Sequence, residues 1–358
     1  MSNRIQYIDI ARGIGILLVV LGHNDFALVS PFAYQLIYSF HMPLFFFLSG
    51  YFINPSVEFW QFVKRRFNSL LKPYLFTIFM IYFVSVSFEK MSFQTALFRI
   101  TKSLYGSGYY LDWVQLWFLP HLFVVSLYAY AFLFVLSKVD HRWLRWGLLL
   151  ATLAISVPLL KTFYPFPFQV FGKDYELYGL PFSFDLVILS GFFFILGSEI
   201  RQTTSEETFS NPALLAGTGI ILLLMNYFFA ARIDLNTRLY ESFLINTVES
   251  IIGILFVLAL SRQIELRSEK LSALFRYFGQ VSLIILIFHV PIQDFWGQKV
   301  LAVTGNSQLS IWTGFIMGVA GSILIYELFI KANPVASFWF GREAVLPEKK
   351  ESSLPSPG

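Results

Sequence analysis

The stretch ARGIGILLVVLGHND, residues 11–25, decides how the rest of the chain is read. It is apolar enough for a bilayer, yet it carries an arginine at one end and a histidine eleven positions later. Similar apolar blocks of about 18 to 23 residues recur along the sequence, the length a helix needs to cross a hydrocarbon core. Of 358 residues, 56% are hydrophobic, 19% aromatic and only 13% charged, against about a quarter charged in a soluble domain. The chain therefore reads as an all-α polytopic membrane protein, with a lipid bilayer and not nucleic acid as its surroundings. Residues 1–340 form the membrane domain, and 341–358 read as a polar, Pro/Ser-containing tail without fixed structure. Asp9 and Arg12 lead straight into the first apolar run and no small-residue cleavage site follows it, so it reads as an uncleaved span.

The sequence contains no cysteine, which excludes a disulfide framework, thiolate chemistry and an acyl group carried on sulfur. No metal is expected. Hydropathy places ten helices at roughly 10–28, 34–53, 73–90, 116–137, 144–160, 182–199, 212–231, 243–261, 280–298 and 309–331. With the N-terminus in the cytoplasm, 18 of the 26 Lys and Arg residues fall inside and 8 outside, following the positive-inside bias. Both termini are then cytoplasmic. The longest loops, 91–115 and 161–181, fall outside. Their aromatics (YGSGYYLDW, FYPFPFQVFGKDYELYG) suit either interfacial anchoring or contact with an acceptor.

Four of the five histidines lie within apolar spans: His23, His41, His121 and His289. Ionisable groups at membrane depth face a protein interior or a wet cavity. The plain reading of each is a hydrogen bond between helices. The topology, however, puts all four in the outer half or the middle of the membrane. Three sit beside proline, in HMP, PH and HVP, where a freed carbonyl opens a polar spot. The pair FHMPL (40–44) and FHVPI (288–292) hints at a repeat on helices of opposite direction.

Eleven residues make about three helical turns, so Arg12 and His23 share a face roughly 16 Å apart along the axis. Gly15 and Gly22 lie on the same stripe and permit close approach. This suits a long substrate with an anionic head inside and a reactive end deep in the membrane, as in an acyl-coenzyme A. The run KRRFNSLLKPY (64–74) adds Arg65, Arg66 and Lys72 on the inner side, as phosphate ligands or as an ordinary topology signal.

The stretch DIARGIGILLVVLGHN resembles the first-span signature of the acyltransferase-3 family, and FHMPLFFFLSGYF (40–52) its second-span motif. RRFNSLLKPYL (65–75) looks like the family's basic loop, and WFLPHLF (117–123) and FHVPI are similar to further family patterns. The resemblance covers the whole chain, with no appended esterase-like domain, and leans toward sugar O-acetylases such as fucose 4-O-acetylase. It implies a bacterial inner-membrane enzyme. Such an enzyme moves an acyl group, commonly acetyl, from cytoplasmic acetyl-CoA to an extracytoplasmic glycan: O-antigen, capsule, exopolysaccharide or peptidoglycan. It also implies coenzyme A binding for Arg12 and a catalytic role for His23.

A neutral imidazole can take the proton of a sugar hydroxyl as it attacks a thioester. That makes His23 the expected base, with Arg12, Arg65, Arg66 and Lys72 toward the phosphates. Glu249, deep in the eighth predicted span, is the preferred carboxylate to orient the ring; Asp25 points away, and Asp185 and Asp294 lie too near the outer boundary. His41, His121, His289 and Ser49 are candidates for positioning the acceptor. The alternative is a transporter or flippase of lipid-linked saccharides, which also needs kinked helices and a polar cavity.

Overall fold

The computed structural model describes residues 5–341. In chain order it forms α1 (Gln6–Gly22), α2 (Pro31–Gly50), α3 (Phe59–Arg66), α4 (Lys72–Phe88), α5 (Phe93–Leu104), α6 (Phe118–Leu136) and α7 (Arg142–Leu159). A hairpin, β1 (Phe166–Val170) and β2 (Lys173–Leu177), precedes α8 (Val187–Thr203) and α9 (Pro212–Phe229). A two-residue pair, β3 (Ile233–Asp234) and β4 (Leu239–Tyr240), precedes α10 (Phe243–Arg267), α11 (Glu269–Thr304), α12 (Ser307–Ile325) and α13 (Pro334–Trp339). The polar tail expected from 341 onward lies, past Gly341, outside the described residues.

The fold is mostly helical, and each of the ten expected segments coincides with a helix. Among the described residues, seven helical stretches are long and apolar enough to cross a membrane: Phe59–Phe88, Val114–Leu136, Pro181–Thr203, Pro212–Phe229, Phe243–Arg267, Glu269–Thr304 and Ser307–Ile330. The other three expected segments are α1, α2 and α7. The first is only 17 residues long, α2 carries His41 and Pro43 within it, and α7 starts on Arg142 and Arg145.

Burial sorts the helices into a centre and a shell. Eleven of the 17 residues of α1 and twelve of the 17 in α8 are buried, but only three of the 18 in α9. The central helices approach closely because glycine leaves room. A Cβ on Gly13 would stand 2.0 Å from the Phe275 carbonyl oxygen, and one on Gly279 2.1 Å from that of Asp9. Gly50 and Gly197 join α2 to α8 in the same reciprocal manner, against Phe194 and Phe47. Gly15 and Gly22, expected to admit a helix or ligand, admit a helix: they meet Phe45, Leu44 and Tyr38 of α2. At one end of α1 Gln6 accepts from Arg276, and at the other the His23 carbonyl accepts from Gln293. Helices α1 and α11 therefore run in the same direction.

The two histidine–proline motifs share one local design. Proline has no N–H for the carbonyl four residues earlier. Pro43 thus frees the Ser39 carbonyl, which accepts from Ser250 Oγ of α10 at 2.8 Å. Pro291 frees that of Ile287, which accepts from Gln115 Nε2 at 2.9 Å. In each motif the histidine Nδ1 bonds its own i−4 carbonyl at 2.8 Å, Ile37 for His41 and Ile285 for His289.

The longer loops carry structure. Phe171 and Gly172, both at positive φ, turn the β1–β2 hairpin in the manner of a two-residue loop. Beside it, Asp185 and Arg238 form a bidentate pair at 2.8 and 3.0 Å with side chains almost fully buried. Asp185 also caps the Leu180 amide at 2.8 Å, so this one pair ties two loops together.

Candidate active site

Arg12, Ile16, Val19 and His23 recur at steps of three and four along α1, and all four line one cavity of about 350 Å³. The cation and the imidazole at the two ends of the opening stretch thus open into the same space. The remaining walls come from α2, with Met42, Phe45 and Ser49, from α11, with Gly279, Gln280 and Ser282, and from the start of α6. A fifth wall includes Arg66, Ser69 and Leu70, where the chain takes a π-helical turn at Phe67–Leu71. Such turns shift side-chain register locally and are frequent at functional sites.

Two cations and no carboxylate are found among the described residues that line this cavity. Arg12 reaches Asp9, one turn back and outside the lining, at 3.3 Å. The Arg66 guanidinium lies over the rings of Phe62 and Phe194, at 5.3 and 5.8 Å from their centroids, which holds the fork in place. A second space of about 290 Å³ shares Phe52, Arg66 and Ser69 with the first and adds Arg65. Lys72 stands apart, its Nζ 3.8 Å from the centre of the Phe338 ring.

Helix α1 ends earlier than hydropathy suggests, at Gly22, and its last carbonyls are taken up by side chains. His23 Nδ1 bonds the Val19 carbonyl at 2.8 Å, Tyr38 Oη donates to that of Gly22 at 3.0 Å, and Gln293 Nε2 donates to that of His23 at 2.7 Å. A helix terminus leaves such oxygens to be satisfied from outside, and here the partners lock the imidazole in place. A carbonyl only accepts, so Nδ1 carries the hydrogen and, in the neutral ring, Nε2 keeps its lone pair. The Val19 carbonyl therefore does what the sequence reading gives to Glu249. Glu249 is wholly buried on α10 and does not line the cavity.

The other histidines divide. His289 meets His23 edge to face, with ring centroids 5.2 Å apart and planes at 87°. His41 packs its ring on Tyr38 at 4.7 Å. His121 uses both nitrogens, with Nδ1 3.2 Å from the Phe182 carbonyl and Nε2 2.8 Å from Ser190 Oγ, and it stacks on Trp117. Of the candidates named from sequence, Arg12, His23, Ser49 and Arg66 come together on the cavity. Gln115, Gln280, Ser282 and the residues holding His23 escaped that reading. Their signal is a polar side chain inside an apolar run, as in Gln280, Ser282 and Gln293.

A family described as an acyltransferase domain matches residues 5–327. The chain belongs to this acyltransferase-3 family. Among curated proteins it is similar to nodulation protein NolL of Mesorhizobium japonicum, 29% identical over 180 residues covering 46% of each chain. Nodulation protein NolL of Sinorhizobium fredii is 30% identical over 184 residues, 46% of this chain and 47% of the relative. The chain spans a little under half the length of these curated relatives. No solved structure matches it.

Proposed function

We propose that this membrane acyltransferase moves an acetyl group from cytoplasmic acetyl-CoA to a hydroxyl of an extracytoplasmic glycan or lipid-linked saccharide. The observation that carries the reading is the single cavity joining Arg12 to His23 along one face of α1. Its 350 Å³ lies at the narrow end of ligand pockets, which run from about 300 to 1,000 Å³. It therefore suits a thin pantetheine arm, with the nucleotide left toward the adjoining space at Arg65 and Arg66. Guanidinium groups pair with phosphate through bidentate hydrogen bonds, and a lining without carboxylates does not oppose an anionic donor.

His23 Nε2 takes the hydroxyl proton as the acceptor oxygen attacks the thioester carbonyl carbon. The carbon–sulfur bond breaks, and the proton passes to the departing thiolate to give free coenzyme A. His121 joins α6 to α8 through Ser190, and His41 packs within α2 on Ile37 and Tyr38. The proposed topology is ten spans with both ends in the cytoplasm of a bacterial inner membrane. Support comes from the parallel course of α1 and α11, which an alternating ten-span chain requires of its first and ninth spans.

The test incubates the purified chain in lipid nanodiscs with radiolabelled acetyl-CoA and a panel of methyl glycosides. Label on a sugar is the expected result. Consumption of donor without labelled sugar, or no consumption at all, overturns the reading.

A further inference from the structure

Hydrogen-bond acceptors without partners gather around His23. Gln293 directs its amide nitrogen to the His23 carbonyl, and its Oε1 is buried with no partner. His289, one turn earlier on α11, gives its Nδ1 hydrogen to Ile285, with a second contact of 3.0 Å to Leu286. Its Nε2 is then an acceptor, also buried and unpartnered. Asn24 donates to the Ile311 carbonyl at 3.3 Å, which leaves Oδ1 in the same condition. These orientations are forced, since a carbonyl accepts and never donates. Gln293 is 2% exposed and His289 0%, while Asn24 is half-buried.

An unpaired buried acceptor is costly, and three on residues that flank His23 call for a ligand that supplies O–H donors. A phosphate or carboxylate brings only acceptors and is refused there. None of the three side chains lines the cavity of Arg12.

Resting on the acyl-transfer reading above, we propose that His289, Gln293 and Asn24 form the acceptor subsite. They bind neighbouring hydroxyls of an uncharged sugar and so present the reacting hydroxyl to His23. Donor and acceptor then meet at His23 from two sides, one basic and one rich in hydrogen-bond acceptors.

The test uses the full chain in nanodiscs, acetyl-CoA, and methyl glycosides of fucose, rhamnose, galactose and glucose with their singly deoxygenated analogues. His289→Phe keeps a ring against His23 but removes the acceptor atom. The sugar KM is expected to rise about tenfold, the equivalent of one lost hydrogen bond, with the acetyl-CoA KM unchanged within twofold. His289→Gln, which keeps an acceptor oxygen, is expected to recover most of the loss. One deoxy sugar is expected to be about tenfold poorer for the wild type and no poorer still for His289→Phe, the non-additivity of a shared contact. A sugar KM within twofold of wild type, an equal rise in the acetyl-CoA KM, or additive losses for every deoxy sugar overturns the assignment. Should His289→Phe not fold, Asn24→Leu at its half-buried position is measured in its place, with the same criteria. If the wild type labels no sugar, the acyl-transfer reading falls and takes this one with it. If it labels sugar and the variants are normal, only the subsite is lost.

Discussion

FHMPL on α2 and FHVPI on α11 are built alike and placed differently. Each histidine bonds the carbonyl four residues back, and each proline frees a carbonyl that a distant helix captures. The surroundings differ: the ring of His41 packs on Tyr38, that of His289 on His23. The motif itself is therefore a device for fastening helices, and under the proposed chemistry only the copy beside the ring at the end of α1 takes part in the reaction. A shared sequence pattern identifies a shared fold element; the neighbour decides its use.

The comparison can be broken most forcefully at the ring between the two motifs. His23→Ala is expected to cut labelled acetyl transfer roughly a thousandfold, within the usual worth of a general base, with normal abundance in the membrane. Retained transfer in that variant would remove the contrast between His41 and His289. Arg12→Ala comes next. A lost charge-assisted contact is worth about 1.5–3 kcal/mol, so the acetyl-CoA KM is expected to rise ten- to a hundredfold while the sugar KM stays put. No change in donor KM would shift the phosphates to Arg65 and Arg66.

The carbonyl clasps sharpen the comparison further. Ser250→Ala and Gln115→Leu each remove one interhelical hydrogen bond, worth about 0.6–2 kcal/mol in a membrane. Thermal unfolding in detergent is expected to register similar small losses for both. Only Gln115→Leu is expected to alter transfer kinetics, because only Gln115 also lines the cavity. The smallest effect belongs to His41→Phe, expected to leave the sugar KM within about twofold. A tenfold rise there would make the two motifs functional equals.

Much of this was legible in the sequence because it is local. Apolar length placed the helices, and a step of eleven residues put Arg12 and His23 on one face. What sequence could not supply are partners from far along the chain. Gln115 and Ile287 are 172 residues apart, Ser250 and Ser39 211, and Gln293 and His23 270. The orienting group of His23 was sought among carboxylates, as in soluble enzymes. A helix that stops inside the protein had a backbone oxygen to offer instead. The β1–β2 hairpin went unread because its prolines, Pro165 and Pro167, look like loop punctuation, and its turn rests on Phe171 and Gly172 at positive φ.

The Arg12–His23 chamber has two guanidinium groups and no acidic side chain among the described residues of its walls. Under the proposed chemistry, a proton taken there is passed on within the same turnover, and sulfur is its destination. A thioether mimic of the donor, whose sulfur never departs, then leaves the ring as it was. Calorimetry in buffers of different ionisation enthalpy is expected to find that such a mimic binds without drawing a proton from solution.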